Sequence, residues 1–368
     1  MINKLVLENL KHRWVRTLLC ALVVGVQVMS ILTLIGLSRG LLQDSADRAK
    51  GTGADIWLKP GASFSISTGQ VNEKFVPFLR KQPHIVKAIG VLIIPLGGAE
   101  ILTTLNGVDI NEFRQFSGGF RVIRGKAPSD PNDLIVDEYY AQQHKLQVGQ
   151  TVPLLRHPWH LSGIMQGGTL GRLVVPLRSL QLLTGNAEPA RISQILVKLD
   201  DPGKTTEEVK RLNDLLQGNL TAISYRDFIG QFSISNIPQL QAFIGVMTGM
   251  AVVVGFLVVF LAMYTAVLER TREIGILKAL GAKPRVIVDI LVREAVVLAI
   301  AGCLIGILFA FGAKSLIMQL VPASLQVVTV PDWWPIAGAI ALGGALLGAI
   351  YPGLKAARQD AIEALAYE

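Results

Sequence analysis

"LERTREIGILKALGAKP", Leu268–Pro284, follows a long uncharged apolar stretch, Ala242–Val267, and leads into another. Its reading fixes the side of a membrane on which the rest of the chain lies. Glu269, Arg270, Arg272 and Glu273 make a two-signed turn, and Ile274, Ile276, Leu277, Ala279 and Leu280 follow, with Gly275 and Lys278 among them. Gly281 is placed to end this helix and Pro284 to begin the next, which spells a short helix-turn-helix. Four large aliphatic residues are more than a connector facing water would carry, and they imply a protein partner. The plainer alternative is a solvated connector that obeys the basic-residue bias of inner loops.

Working outward, four windows carry no Asp, Glu, Lys or Arg: Thr17–Ser38, Ala242–Val267, Ala295–Ala313 and Trp333–Leu354. About 20 residues at ~1.5 Å each match a hydrocarbon core of about 30 Å, so each window can cross a bilayer as a helix. The composition agrees: 51% of the 368 residues are hydrophobic and 17% charged, with a mean hydropathy of +0.47, too apolar for an ordinary soluble enzyme. The first window is read as a retained span, since its apolar run exceeds the ~7–15 residues of a signal-peptide core. Lys4, Lys11, Arg13 and Arg16 precede it, six basic residues from Arg270 to Arg293 fill the second-to-third connection, and Lys355 and Arg358 follow the fourth. Those flanks are expected in the cytoplasm. The loop 315–332, free of Lys and Arg, and the long insert after the first span are expected outside.

The expected division is an amphipathic segment 1–16, spans at 17–42, 241–268, 287–314 and 333–354, an outer domain at 43–240, a coupling turn at 269–286, an outer loop at 315–332 and a tail at 355–368. Ile2, Leu5, Val6, Leu10 and Trp14 form a stripe on the first segment, and Ala357, Ala361, Ile362 and Leu365 one on the tail. In the outer domain, strand-like runs at Ala54–Leu58, Val91–Pro95, Ile101–Leu105, Leu134–Asp137, Leu161–Ile164, Leu173–Pro176 and Ile192–Leu199 alternate with helical spacing at Glu73–Gln82, Glu138–Lys145 and Thr205–Gln217. Thr205 with Glu208 fits a capping box. The fold class is therefore an α-helical membrane protein of four spans with a large α+β outer domain, in two lobes, the middle one (about 106–189) inserted into the other.

Catalytic signatures are missing. "HPWH", His157–His160, contains a proline that prevents helical i, i+3 ligation, and no cysteine or carboxylate nearby completes a metal set, so it reads as a loop beside a strand. "GFRVIRGK", Gly119–Lys126, has five residues between its glycines and Ala127 where a phosphate loop needs Ser or Thr. No metal or cofactor is expected on this chain. Cys20 and Cys303 sit far apart in apolar runs and read as small buried hydrophobes. The formal charge of +8 reflects the inner-loop bias and points to no nucleic acid. Glycines four apart, Gly245/Gly249, Gly302/Gly306 and Gly344/Gly348, suit close helix packing, either within the chain or between copies.

The motif "LERTREIGILKALGAKPRVI", the closing "YPGLKAARQDAIEALAYE" and the outer segment "DLIVDEYYAQQHKLQVGQTV…HLSGIM" resemble FtsX-type permeases of the MacB-like (type VII, mechanotransmission) ABC transporter superfamily. The resemblance implies a non-enzymatic permease subunit of a bacterial inner-membrane transporter, with both termini cytoplasmic. It also implies a homodimer or pseudo-symmetric heterodimer docked on separate ATPase subunits that bind ATP and Mg²⁺, with a possible periplasmic adaptor. Glu269, Arg270, Arg272, Glu273, Gly275, Ile276, Leu277, Lys278 and Gly281 would then form the coupling element, with Glu273 meeting a basic group and Gly275 permitting close approach. Export, efflux or extraction of a hydrophobic or lipid-like substrate fits this layout. The rival is a membrane-anchored sensor, or a regulator of an outer hydrolase, that transports nothing.

Overall fold

The computed structural model describes residues 8, 11, 14–61, 70–97, 103–231, 238–320 and 326–358. Their contacts form two units, one of long apolar helices and one built on a sheet, with the first long helix contributing to both.

The sheet unit runs, after helix α1 (Trp14–Thr52), through β1 (Ile56–Pro60), β2 (Val71–Asn72), α2 (Phe75–Leu79), β3 (Ile85–Pro95), β4 (Thr104–Val108), α3 (Ile110–Ser117), β5 (Val122–Gly125), β6 (Asp133–Asp137), α4 (Glu138–Gln143), β7 (Thr151–Leu154), β8 (His157–Met165), β9 (Leu173–Pro176), α5 (Leu177–Leu183), β10 (Arg191–Ile192), β11 (Gln194–Leu199), α6 (Thr205–Leu216), β12 (Leu220–Ser224) and α7 (Tyr225–Gln231). One sheet carries the order β12-β1-β11-β3-β4-β9-β6-β8-β5, with β7 paired to β8. Only β4 with β9 and β6 with β8 are parallel pairs in it. The inserted segment therefore extends the same sheet rather than building a second one.

Side chains alternate between the two faces of a strand, and here both faces are covered. Ile56, Leu58, Leu134, Val136, Leu173, Val175, Ile195 and Val197 enter one core, while Trp57, Ile135, Val174 and Leu196 enter the other. Two-sided burial is why these segments read as short continuous apolar runs. Trp57 stacks on Phe228 with ring centroids 4.9 Å apart, which fastens α7 to β1.

Local chemistry sets several element ends. The Asp109 carboxylate accepts the N–H of Glu112 at 2.8 Å to start α3, and Asp137 accepts that of Tyr140 at 2.7 Å to start α4. The capping box expected at α6 does not form. Lys204 is the N-cap and offers no side-chain bond, the Thr205 hydroxyl donates to the Pro202 carbonyl, and Glu208 is buried against Arg211. A 3-10 turn at Pro202–Lys204 already occupies the N-cap position, leaving Thr205 inside the helix.

"HPWH" is corrected from loop to strand. His157–His160 opens β8, where Pro158 lies opposite Pro153 in a hairpin whose turn residues, Leu155 and Arg156, have φ of 53° and 62°. His157 meets the Asn132 side chain, and His160 meets Asp133 at 2.9 Å. Burial opposes ionisation of Asp133, but the backbone N–H of Ser129, His160 and the N–H of Asp130 outweigh it and hold the carboxyl below its usual range. Among the described residues no group of three His, Cys, Asp or Glu is arranged to hold a metal.

The helical unit holds α8 (Pro238–Glu269), α9 (Thr271–Ala279), α10 (Pro284–Leu320) and α11 (Trp334–Arg358), with the membrane part of α1. Among the described residues, four helices, at Trp14–Thr52, Pro238–Glu269, Pro284–Leu320 and Pro331–Arg358, are long and apolar enough to cross a bilayer. Gly302 and Gly306 of α10 lie against α1: an ideal Cβ on either would fall 2.6 Å from a Cβ, of Val24 or Val28 respectively. An ideal Cβ on Gly348 of α11 would fall 3.0 Å from the Phe256 carbonyl oxygen and the Phe260 nitrogen in α8, and one on Gly344 would sit at ordinary distance from Val252. These four serve packing within the chain, whereas Gly245 and Gly249 face open space. Ile2, Leu5, Val6, Leu10, Ile101, Ala361, Ile362 and Leu365 fall outside the described residues.

Candidate functional site

Helix α9 begins where α8 breaks. Thr271 is buried and donates its hydroxyl to the carbonyls of Leu268 (2.8 Å) and Val267 (3.2 Å), which closes the corner between the two helices. Glu273 lies in the first turn and Lys278 in the last, each at the end of the helix dipole that favours its sign. The helix stops at Gly281, whose φ of +92° and N–H to the Lys278 carbonyl (2.9 Å) make a left-handed cap that a residue with a Cβ adopts only at a cost. Pro284 then opens α10.

Burial divides the segment. Ile274 joins Val267, Ile287, Leu291 and Ala356 in a small core, so α8, α9, α10 and α11 meet there. Gly275 is also buried and is taken up by packing inside the chain rather than offered outward. Arg270 pairs with Glu294 of α10 at 3.0 Å; their side chains are 11% and 2% exposed, so this bond ties the start of α9 to α10 away from water. Glu269 pairs with Arg16 at 3.1 Å. Of the residues read from sequence as one coupling element, Glu269, Arg270 and Gly275 thus hold it in place.

Arg272, Glu273, Ile276 and Leu280 are exposed, Ile276 at 45% and Leu280 at 80%. Residues 272, 276 and 280 are successive turns of one face. Leu277 is half-buried and, with Glu273, Ile274, Ile276, Ile287 and Leu291, lines a cleft of about 310 Å³. The arrangement offers a partner an apolar ridge beside a pocket, flanked by one cation and one carboxylate, on a helix whose back is fixed. Sequence reasoning missed Leu280 as the most exposed apolar residue and missed Glu294 as the partner of Arg270. A carboxylate just before an apolar window, 24 residues from an arginine, has no local signature.

A model of the MacB-like periplasmic core domain matches residues 17–215, and a model of the FtsX-like permease C-terminal region matches residues 245–361. The chain is similar to the uncharacterized ABC transporter permease YknZ of Bacillus subtilis, 29% identical over 236 residues that cover 60% of this chain and 57% of that protein. It is also similar to the macrolide export ATP-binding/permease protein MacB of Wolinella succinogenes, 32% identical over 184 residues that cover 48% of this chain and 28% of that protein. The chain thus spans between about a quarter and three fifths of these relatives. A solved extracellular domain of YknZ from Gram-positive bacteria aligns over 46% of this chain and 99% of its own, at 14% identity and a TM-score of 0.35. With one family model covering more than half of the chain and a second covering most of the remainder, the chain belongs to the FtsX-like, MacB-type family of ABC transporter permeases.

Proposed function

We propose that this chain is the membrane subunit through which a separate ATPase, binding ATP and Mg²⁺, drives conformational change in the outer domain to export or extract a hydrophobic or lipid-like substrate. It acts as a homodimer or pseudo-symmetric heterodimer in a bacterial inner membrane, with both termini in the cytoplasm and an outer adaptor protein as a further partner, and it hydrolyses nothing itself. The observation that carries this reading is the Arg272–Ile276–Leu280 face, exposed on a helix whose buried side is locked by Arg270–Glu294. Such a ridge can receive a push without absorbing it.

The orientation has its own test. A cysteine placed at Val328, in the connection between α10 and α11, is expected to react with an impermeant thiol reagent from outside, and one at Ala282 only after the inner face is opened. The opposite pattern overturns the topology.

Docking is tested with the partner ATPase in lipid. Leu280→Asp is expected to weaken assembly by about 2 kcal/mol, roughly 30-fold, as for a buried apolar anchor. Glu273→Lys is expected to reduce both assembly and ATP hydrolysis by charge reversal. Gly275→Leu does not probe docking, because that position is buried in the chain itself. The purified chain alone is expected to show no hydrolysis. Unchanged assembly in both Leu280→Asp and Glu273→Lys, or hydrolysis by the chain alone, overturns the proposal.

A further inference from the structure

The stretch Gly119–Lys126, which fails as a phosphate loop, forms one edge of the sheet. There β5 pairs with β8, and among the described residues none of its backbone groups bonds anything else. The Arg121 carbonyl accepts the N–H of Gln166 at 2.9 Å and the Lys126 N–H donates to the Ser162 carbonyl at 2.9 Å, so Arg121–Lys126, about 20 Å of chain, lies extended along β8. Its far side presents backbone donors and acceptors without partners.

A β-bulge shapes a cleft beside this edge. Val122 stands opposite Met165 and Arg124 opposite Ile164, which leaves Ile123 as the extra residue. Val122 packs on the core that holds Met165, whereas Ile123 and Arg124 both line a cleft of about 460 Å³ with Ala141, Leu146 and Ile164. Ile123 is 50% exposed. Arg121, Arg124 and Lys126 are exposed, as is Lys145, which also lines the cleft, and among the described residues none of the four makes an ion pair. The carboxylate among the lining residues, Glu138, accepts the Gly167 N–H at 3.5 Å.

Charge on an edge strand ordinarily keeps other strands away. Here the guard has a single sign: it repels a second copy of β5, which brings the same cations, and attracts a strand that carries carboxylates. Protection alone also gives no reason to expose Ile123 beside a cleft. A phosphate polymer would meet the cations and the N–H groups but leave the carbonyls unpaired, whereas an extended polypeptide satisfies both.

We propose that β5 is the docking edge for an extended acidic segment of an outer protein partner. That segment adds a strand to the sheet, sets an apolar side chain in the cleft against Ile123 and Ile164, and brings carboxylates within reach of Arg124 and Lys145 at the cleft and of Arg121 and Lys126 at the ends of the edge. This rests on the reading that the outer domain works with a further protein, and it names the chemistry by which that protein is held.

The test uses the full chain in lipid nanodiscs and an acidic peptide of alternating Glu and Thr with Phe in place of the central Glu. The controls are the same peptide with Lys for Glu, the acidic peptide N-methylated at alternate backbone positions, and sodium polyphosphate. Hydrogen exchange of Gly119–Ala127 is expected to slow at least about tenfold with millimolar acidic peptide, with no such change at β12, the opposite edge, and none with any control. Arg124→Glu and Lys145→Glu are each expected to weaken binding of the acidic peptide about tenfold by charge reversal. Both side chains are exposed, so the thermal midpoint without peptide should stay at the wild-type value.

Equal protection by the N-methylated peptide or by polyphosphate overturns the proposal, since the cations alone would then hold any anion. Equal protection by the Lys peptide overturns it too, as does unchanged affinity in both charge-reversed variants. Protection that rises with protein concentration in the absence of peptide would assign the edge to a second copy instead. If the acidic peptide fails to bind while Leu280→Asp still weakens assembly with the ATPase, the docking edge falls and the permease reading stands. If it binds while Leu280→Asp and Glu273→Lys both leave assembly unchanged, the reverse follows.

Discussion

Arg172→Met is expected to destabilise the sheet unit by about 3–5 kcal/mol, the usual cost of removing one partner from a buried ion pair. Arg172 Nη1 donates to Asp137 Oδ2 at 2.8 Å and Nη2 to Asp44 Oδ2 at 2.9 Å, and all three side chains are less than a tenth exposed. Asp44 keeps Arg48 at 2.9 Å when Arg172 is lost. Asp137 keeps only the N–H of Tyr140 and the more distant Arg48. Burial pushes the Asp137 carboxyl above its ordinary value of 3.8, against Arg172, that N–H and Arg48. A carboxyl raised in the folded state favours folding when protonated, so its contribution falls as pH rises from 3.8 through the folded value. The deficit of Arg172→Met should therefore be greatest near neutrality and shrink as acid protonates Asp137. Hydrogen exchange of Leu134–Asp137 and Leu173–Pro176 in the full chain, near neutral pH and again at about pH 5, reads this directly. A deficit that does not change with pH would place the cost in lost packing against Tyr139, whose ring lies 5.8 Å from the Arg172 guanidinium.

Glu294→Ala is expected to loosen α9 by a similar ~3–5 kcal/mol, because the Arg270 guanidinium stays buried without its carboxylate. Glu294→Gln keeps the shape and one acceptor and should cost about 1–2 kcal/mol. Exchange protection in Thr271–Ala279 should fall in the order wild type, Gln, Ala, while the sheet unit keeps its protection. In complex with the ATPase, the alanine variant should retain binding through Ile276 and Leu280 yet lose coupled hydrolysis. Loss of binding in equal measure would mean that α9 is an anchor rather than a lever.

What the sequence made legible follows from range. Four spans were readable because an uncharged run of twenty residues is a local property, and the strands at Leu134–Asp137 and Leu173–Pro176 because burial on both faces leaves a continuous apolar run. Val122–Gly125 was missed as a strand: it lies at the sheet edge and is mostly exposed, and it shows no apolar run. Within the candidate site, charge and turn chemistry were visible, including Gly281. The facing of each residue was not, since it depends on which side of α9 meets α10 and α11. That is why Gly275, read as a point of close approach, is buried, and why Leu280 is the most exposed residue of the segment's apolar set. The Asp44–Arg172 and Arg270–Glu294 pairs join residues 128 and 24 positions apart, and nothing local announces them.

The place of β1 in the sheet has a consequence for biogenesis. Its partners are β11 and β12, which are separated from it by most of the sheet unit's sequence. A nascent chain delivers Ile56–Pro60 about 160 residues before Leu220–Ser224, a delay of roughly 8–30 s at ~5–20 residues per second. For most of that interval, until β11 follows, an apolar strand waits without the neighbours that satisfy its backbone, so folding of this domain depends on holding its first strand apart from other chains until its partners have arrived.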